Sequence, residues 1–262
     1  MPSFQPVRGM RDIVGEEAQT ITYIINIAKQ VAKNYGYKEA ITPIVESFEL
    51  LSAKTGEEIR QRMFIFSDLG GRQVALRPEF TASIARITTT ILKNEAKPLR
   101  IFSTGTVYRY DEPQKGRYRE FWQANFELLG SNKPEADAEI ILLANNILKN
   151  SGLTNYAIKL GHVGVFKNIM SQEKIEEKTQ NAILQKMDKK DYESALALID
   201  SQKCKETLQQ LIAIKEKDNN IIIEEMKKLL QGYEKALEAV ENLSQVLKLV
   251  TESGCEIKIV DP

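Results

Sequence analysis

The side chains best able to do chemistry crowd one short stretch, where Arg109, Asp111, Glu112, Lys115, Arg117, Arg119, Glu120, Gln123 and Glu127 follow one another closely. The stretch reads as an antiparallel hairpin with a charged tip. Two β-prone runs, RIFSTGTVYRY and REFWQANFELLG, flank the polar loop DEPQKGRY, in which Pro113 and Gly116 favour a turn. Side chains alternate faces along a strand, so Arg117, Arg119, Phe121, Gln123, Asn125 and Glu127 are expected on one side. Tyr118, Glu120, Trp122, Ala124 and Phe126 are expected on the other. The first of these faces suits an anionic, ring-bearing ligand: guanidinium groups pair with phosphate oxygens, Phe121 stacks on a base, and Gln123 and Glu127 hydrogen-bond a small polar group. The same residues also suit an exposed strand whose charges merely keep a sheet soluble, and spacing alone does not choose between the two.

Several elements must position that hairpin. Ile21, Ile24, Ile25, Ala28, Val31, Ala32 and Tyr35 follow helical spacing until Gly36. YKEAITPIVESFELL predicts a strand ending near Ile44, with Pro43 at an edge or bend because it cannot donate to a ladder. MFIFSD and RQVALRP flank a Gly70-Gly71 turn and predict a second hairpin that delivers Arg77, Pro78 and Glu79 to its end. A helix is expected over residues 81–92, another from Pro134 with Gly152 as its C-cap, and then a strand at YAIKLGH. From 171 to 231 the composition shifts to Lys, Glu, Gln, Leu and Ile, broken at Asp188-Lys189-Lys190-Asp191 and Asp218-Asn219-Asn220. A last helix over 233–251 leads to a strand at CEIKIVDP. The expected fold class is therefore α+β: an antiparallel sheet flanked by helices, with an inserted helical subdomain. Its parts are a core at 1–170, a helical insertion at 171–231, and a return helix and strand at 232–262.

Composition narrows the function classes. Thirty-six Lys plus Arg balance thirty-six Asp plus Glu, so a nucleic-acid partner would have to be met by a local patch. Cys204 and Cys255 are far apart and His162 is the single histidine, which argues against a structural zinc site or a disulfide framework. No apolar run approaches the ~18 residues that suggest a membrane span, and the start MPSFQPVRGMRDIVGEE has no apolar h-region. A cytoplasmic protein without membrane contact is the expectation. His162, in LGHVGVF, lies between a strand and a helix with no acidic sequence neighbour, so a structural hydrogen bond suits it better than general-base work.

The segment RYDEPQKGRYREFWQANFELLG resembles motif 2 of class II aminoacyl-tRNA synthetases, in the form used by histidine–tRNA ligases. The likeness extends outward and in order. RGMRDIVGEE resembles that family's beginning, YGYKEAITPIVES its motif 1, and TGEEIRQRMFIFSDLGGRQVALRPEFT the hairpin carrying its amino-acid-binding loop. Nearly the first 170 residues are covered.

The resemblance implies roles for single residues. Arg109 would hold both the α-phosphate of ATP and the carboxylate of histidine, as the catalytic cation. Arg117 would bind the γ-phosphate, Phe121 would stack on adenine, and Asp111, where the family often has Glu, would reach toward the base. Glu79, Thr81 and Gln123 would bind the α-amino group, and Glu127 would accept a hydrogen bond from the imidazole. Glu79 could at the same time cap the helix that starts near Thr81. ATP with Mg2+ as its counter-ion would be substrate, with no tightly bound cofactor and no protein metal site. tRNA(His) would be the acceptor, approached by the loop at 111–116 and by the helical insertion. Motif 1, around Pro43, would form a homodimer contact.

In the resembled ligases, a histidine-specific segment with an essential arginine, a glycine-rich motif 3 and an anticodon-binding domain follow the strand at which these 262 residues stop. The chain alone is thus expected to be an inactive or weakly active N-terminal fragment. A histidine-sensing regulatory subunit of ATP phosphoribosyltransferase resembles the same ligases and shares runs like REFxQAxxELxG and LGHVG. Glu79 and the intact pair Arg109 and Arg117 favour the ligase over that alternative.

Overall fold

The computed structural model describes residues 4–53 and 56–261, with the side chains of Glu57 and Glu58 outside the description. Thr55, in the block carrying the amino-acid-binding hairpin, and the terminal Pro262 therefore lie outside the described residues. The chain divides into two compact units, residues 1–132 with 143–153, and residues 133–142 with 154–262.

The first unit contains α1 (Gly15–Asn34), β1 (Lys38–Glu39), β2 (Val45–Ser47), α2 (Phe48–Ser52), α3 (Glu57–Arg60), β3 (Ile65–Ser67), β4 (Gln73–Leu76), α4 (Thr81–Thr89), β5 (Leu99–Tyr108) and β6 (Glu120–Leu129). The long hairpin is present and antiparallel, with Leu99 opposite Leu129 and Tyr108 opposite Glu120. Parallel to β5 runs β1, completing a mixed three-stranded sheet ordered β1-β5-β6. The single strand expected near Ile44 is two short ones, because the chain leaves the first sheet after Ala40, whose N–H donates to the Phe102 carbonyl at 2.8 Å. Beyond Pro43, which has no N–H to give, the chain joins a second sheet ordered β2-β4-β3. At this crossing the buried Arg77 donates from Nη1 to the Thr42 carbonyl at 2.8 Å and from Nε to the Thr106 carbonyl at 3.1 Å. One face of β5 packs through Ile101 and Val107 against Phe80 and Ile84 of the α4 segment. The other face places Phe102 and Phe126 rings 4.7 Å apart. The α4 helix ends at Thr89, short of the expected Leu92.

The second unit contains β7 (Ile158–Leu160), α6 (Val163–Gln172), α7 (Glu177–Asp188), α8 (Tyr192–Leu196), α9 (Gln202–Ala213), α10 (Asn219–Leu229), α11 (Glu234–Glu252) and β8 (Ile257–Val260). Between the units in sequence, α5 (Pro134–Asn150) gives its first residues to the second unit and its later ones to the first. Both anticipated helix breaks coincide with caps. Asp191 accepts from the Ser194 N–H at 3.3 Å, and Asp218 accepts from Asn220 and Ile221. Asn219 then binds β8 twice, donating to the Ile257 carbonyl and accepting from the Val260 N–H.

One apolar core joins α6, α7, α9, α10 and α11 to the parallel pair β7–β8. On α11 the residues Ala236, Ala239, Val240, Leu243, Val246, Leu247 and Val250 recur at helical spacing and are all buried, each large one contributing roughly 1.5–3 kcal/mol. The stretch 171–231 thus shares its core with the helix and strand that follow it. Cys204 and Cys255 are buried free thiols of this unit, and burial with Glu173 nearby pushes Cys204 up to about 11.

Candidate active site

The β5–β6 hairpin and the start of α4 bring the expected side chains together in three groups, all in the first unit. In the first, Glu79 accepts the Thr81 N–H at 2.5 Å and the Ala82 N–H at 3.2 Å, so it does cap α4. The Thr81 hydroxyl donates to Oε1 of Glu127 at 2.6 Å, and Asn125 donates to the same oxygen at 3.2 Å. Both of these hydrogen bonds fall on Oε1 of Glu127 and neither on Oε2. Asn125 had been placed on this face by strand parity but given no role; its place beside Glu127 orients the carboxylate.

In the second group, Arg109 donates from Nε to the buried Pro78 carbonyl at 3.0 Å, and its guanidinium stands 5.2 Å from the Phe121 ring centroid. That anchoring holds the side chain while leaving its terminal nitrogens for an anion. Gln123 lies two residues further along β6, opposite Gly105. Its Oε1 is buried with no hydrogen-bond partner among the described residues. At Gly105, φ 155°, a Cβ would stand 2.9 Å from Nη2 of Arg77, so a larger residue would have to displace that guanidinium.

The third group corrects the parity argument. Because β6 begins only at Glu120, and Gln114 and Arg117 close a tight turn by exchanging backbone hydrogen bonds, Arg117 and Arg119 lie outside the strand and alternation does not set their side-chain directions. Arg119 turns inward, donating from Nε to the Asp111 carbonyl at 2.9 Å with its guanidinium 3.7 Å from the Tyr110 ring centroid. Arg117 donates from Nε to Oδ2 of Asp111 at 2.8 Å. Asp111, expected to reach toward a base, is buried and takes a second guanidinium, Nη1 of Arg62 at 3.0 Å, on Oδ1. Burial alone would raise its pKa, but the hydrogen bonds from Arg117 and Arg62 prevail and hold the carboxyl below its ordinary value.

Two supports escaped sequence reasoning. Arg62 follows the charged run EEIRQ, and nothing in its spacing points to the hairpin. Gly9 has φ 83° and a carbonyl that accepts the Arg119 N–H at 2.7 Å, and a Cβ there would come within 2.9 Å of both Arg119 and Pro113. Glycine close to a charged N-terminal motif was the available signal. His162 caps α6, accepting the Gly164 N–H at 3.0 Å on Nδ1, and stands in the second unit. A cavity of about 750 Å3 is walled by Leu50, Ile59, Ala85 and Thr89 and also touches Glu79 and Thr81. Among the described residues no group of three or more His, Cys, Asp or Glu side chains is placed to hold a metal ion.

A hairpin that sets arginines, an aromatic ring and a carboxylate beside a capped helix start, on an α+β core, has the layout of an aminoacyl-tRNA synthetase core. Solved structures agree: one from Bacillus halodurans, named ATP phosphoribosyltransferase regulatory subunit/histidyl-tRNA synthetase, superposes with a TM-score of 0.84 at 27% identity, over 98% of this chain and 67% of that one. The chain belongs to the histidyl-tRNA synthetase family, whose model matches residues 9–261. It is 41% identical to the histidine–tRNA ligase of Methanocaldococcus jannaschii over 98% of its length, and 41% identical to that of Sulfolobus acidocaldarius over 99%. It spans 62% and 61% of those two relatives.

Proposed function

We propose that the first unit activates histidine with ATP, as part of a histidine–tRNA ligase. The observation that carries this reading is the buried, unpartnered Oε1 of Gln123, an acceptor in want of an N–H donor, on the same strand face as Glu127 and close in sequence to the Arg109 partner Phe121. The α-ammonium of histidine supplies that donor, with Glu79 and Thr81 as its further partners. Oε2 of Glu127 accepts from the imidazole, which an apolar amino acid cannot match. Arg109 then holds the histidine carboxylate against the α-phosphate. A carboxylate oxygen attacks phosphorus, the bond to the pyrophosphate oxygen breaks, and the guanidinium offsets the charge that develops. Phe121 offers its ring to adenine, Asp111 bounds the adenine side of the loop, and Arg117 serves the γ-phosphate. Mg2+ enters with ATP as counter-ion, held mainly by phosphate oxygens and water.

Transfer to tRNA(His) completes the reaction, with residues 111–116 and the helices of 171–231 as the approach to the acceptor arm. A homodimer through motif 1 belongs to the same reading, supported by the exposed Ile41, Ile44 and Val45 around Pro43. So does a cytoplasmic setting, and no helix among the described residues is long and apolar enough to cross a membrane.

The test is histidine-dependent ATP–pyrophosphate exchange by this chain and by the full product of its gene. We expect exchange in the full product, abolished by Arg109→Ala, and weak or no exchange in the 262 residues alone. The name of the Bacillus halodurans structure keeps a regulatory role as the second reading. Histidine binding without exchange in either protein would move the assignment there.

A further inference from the structure

Asp111 is 8% exposed, and each of its carboxylate oxygens serves a different guanidinium: Oδ1 that of Arg62 at 3.0 Å, Oδ2 that of Arg117 at 2.8 Å. The two arginines differ in freedom. The Arg117 side chain is half exposed and sits at the loop tip, whereas Arg62 is a quarter exposed. The backbone around Arg62 is bound to the base of the same loop, its carbonyl accepting the Tyr110 N–H at 2.7 Å, and the neighbouring Phe64 ring meets the Tyr110 ring edge-on at 5.1 Å. One cation can therefore leave the carboxylate and the other is held beside it.

We propose that Arg62 is a positioning residue for ATP: it keeps the buried Asp111 carboxylate paired, so that Arg117 can leave it for the polyphosphate. The inference rests on the ligase reading and adds to it a residue outside the hairpin. Without Arg62, every departure of Arg117 strands a buried negative charge, and Asp111 competes with the ligand for its only remaining partner. With Arg62 present, Arg117 exchanges one anion for another while the carboxylate stays balanced.

The experiment titrates the chain with Mg·ATP and, separately, with histidine, for wild type, Arg62→Met, Arg62→Lys and the double variant Arg62→Met/Asp111→Asn, with thermal midpoints recorded for each. Arg62→Met is expected to weaken ATP binding about 10-fold or more with histidine binding almost unchanged. Lysine at 62 restores most of the loss. The double variant binds ATP more tightly than Arg62→Met alone, because no buried carboxylate is left to hold Arg117; a merely structural role for Arg62 gives no such relief. ATP binding by Arg62→Met equal to wild type overturns the inference and leaves the ligase reading standing. Equal weakening of ATP and histidine without relief in the double variant also overturns it, by showing general loosening. A wild-type chain that binds neither ligand overturns this inference, while the ligase reading stands or falls separately with pyrophosphate exchange by the full gene product.

Discussion

The first unit keeps four charged side chains at 9% exposure or less, Glu46, Arg77, Asp111 and Arg119, whereas the buried polar residues described in the second, Gln180 and Thr207, carry no charge. Among the described residues, Ser83 Oγ, Arg86 Nε, Thr104 Oγ1 and Gln123 Oε1 are buried without partners, and each lies in the first unit. In the second, four helices start on a side-chain cap, from His162, Asp191, Ser201 and Asp218. Its half-buried polar cluster is closed on itself: Glu173 accepts from the Ser201 hydroxyl at 2.6 Å and the Tyr233 hydroxyl at 2.9 Å, and burial together with that carboxylate pushes Tyr233 up to about 12. Among the described residues, the second unit leaves no buried side-chain nitrogen or oxygen without a partner. The other holds charge and unmet hydrogen-bonding capacity in place, at a cost in stability that a ligand can return.

Four substitutions can break or sharpen this contrast. The largest effect is expected from Leu208→Ala, at a fully buried position of the second core, which should cost about 2–5 kcal/mol in denaturant unfolding while histidine binding below the transition persists. Next comes Arg109→Ala. In the full gene product it should lower exchange by roughly 100- to 1000-fold while moving the thermal midpoint by no more than about 2 °C. Gly9→Ala ranks third. A Cβ at φ 83° and 2.7 Å from Arg119 should cost about 1–3 kcal/mol and speed amide exchange across residues 110–119.

The smallest effect belongs to Asp111→Asn, expected to cost roughly 1 kcal/mol at neutral pH. Its pH dependence is the informative part. The Asp111 carboxyl lies below its ordinary value of 3.8 in the folded chain. The ion-pair contribution is therefore complete above that ordinary value and fades as pH falls through the lower, folded one. Stability curves of wild type and variant should run apart at neutral pH and converge only on the acid side of 3.8.

Much of this architecture was legible in the sequence where the signal is local. Alternation and a Pro/Gly loop marked the β5–β6 hairpin, and the aspartates that break the helical stretch turned out to be the caps of α8 and α10. Glu79 and Thr81 were tied to Glu127, 46 positions beyond Thr81, by resemblance alone, and Thr81 meets both carboxylates. What local pattern could not supply were the terms set by tertiary contact. Arg117 and Arg119 lie outside the β6 strand, beside a bridged turn, where alternation no longer sets side-chain direction. Arg62 reaches Asp111 across 49 positions. Arg77 meets the carbonyl of Thr42, between β1 and β2, across 35 positions. The joint core of 171–231 with α11 and β8 is likewise invisible to periodicity, which reports that a helix has an apolar face but not what covers it.

The proposed function requires that the first unit bind a histidine–adenosine phosphate. The direct measurement is equilibrium titration of this chain with a non-hydrolysable histidyl-adenylate analogue. We predict saturable binding that Arg109→Ala removes and Leu208→Ala, assayed below its unfolding transition, retains. No binding by the wild-type chain, or equal binding by Arg109→Ala, would contradict the account.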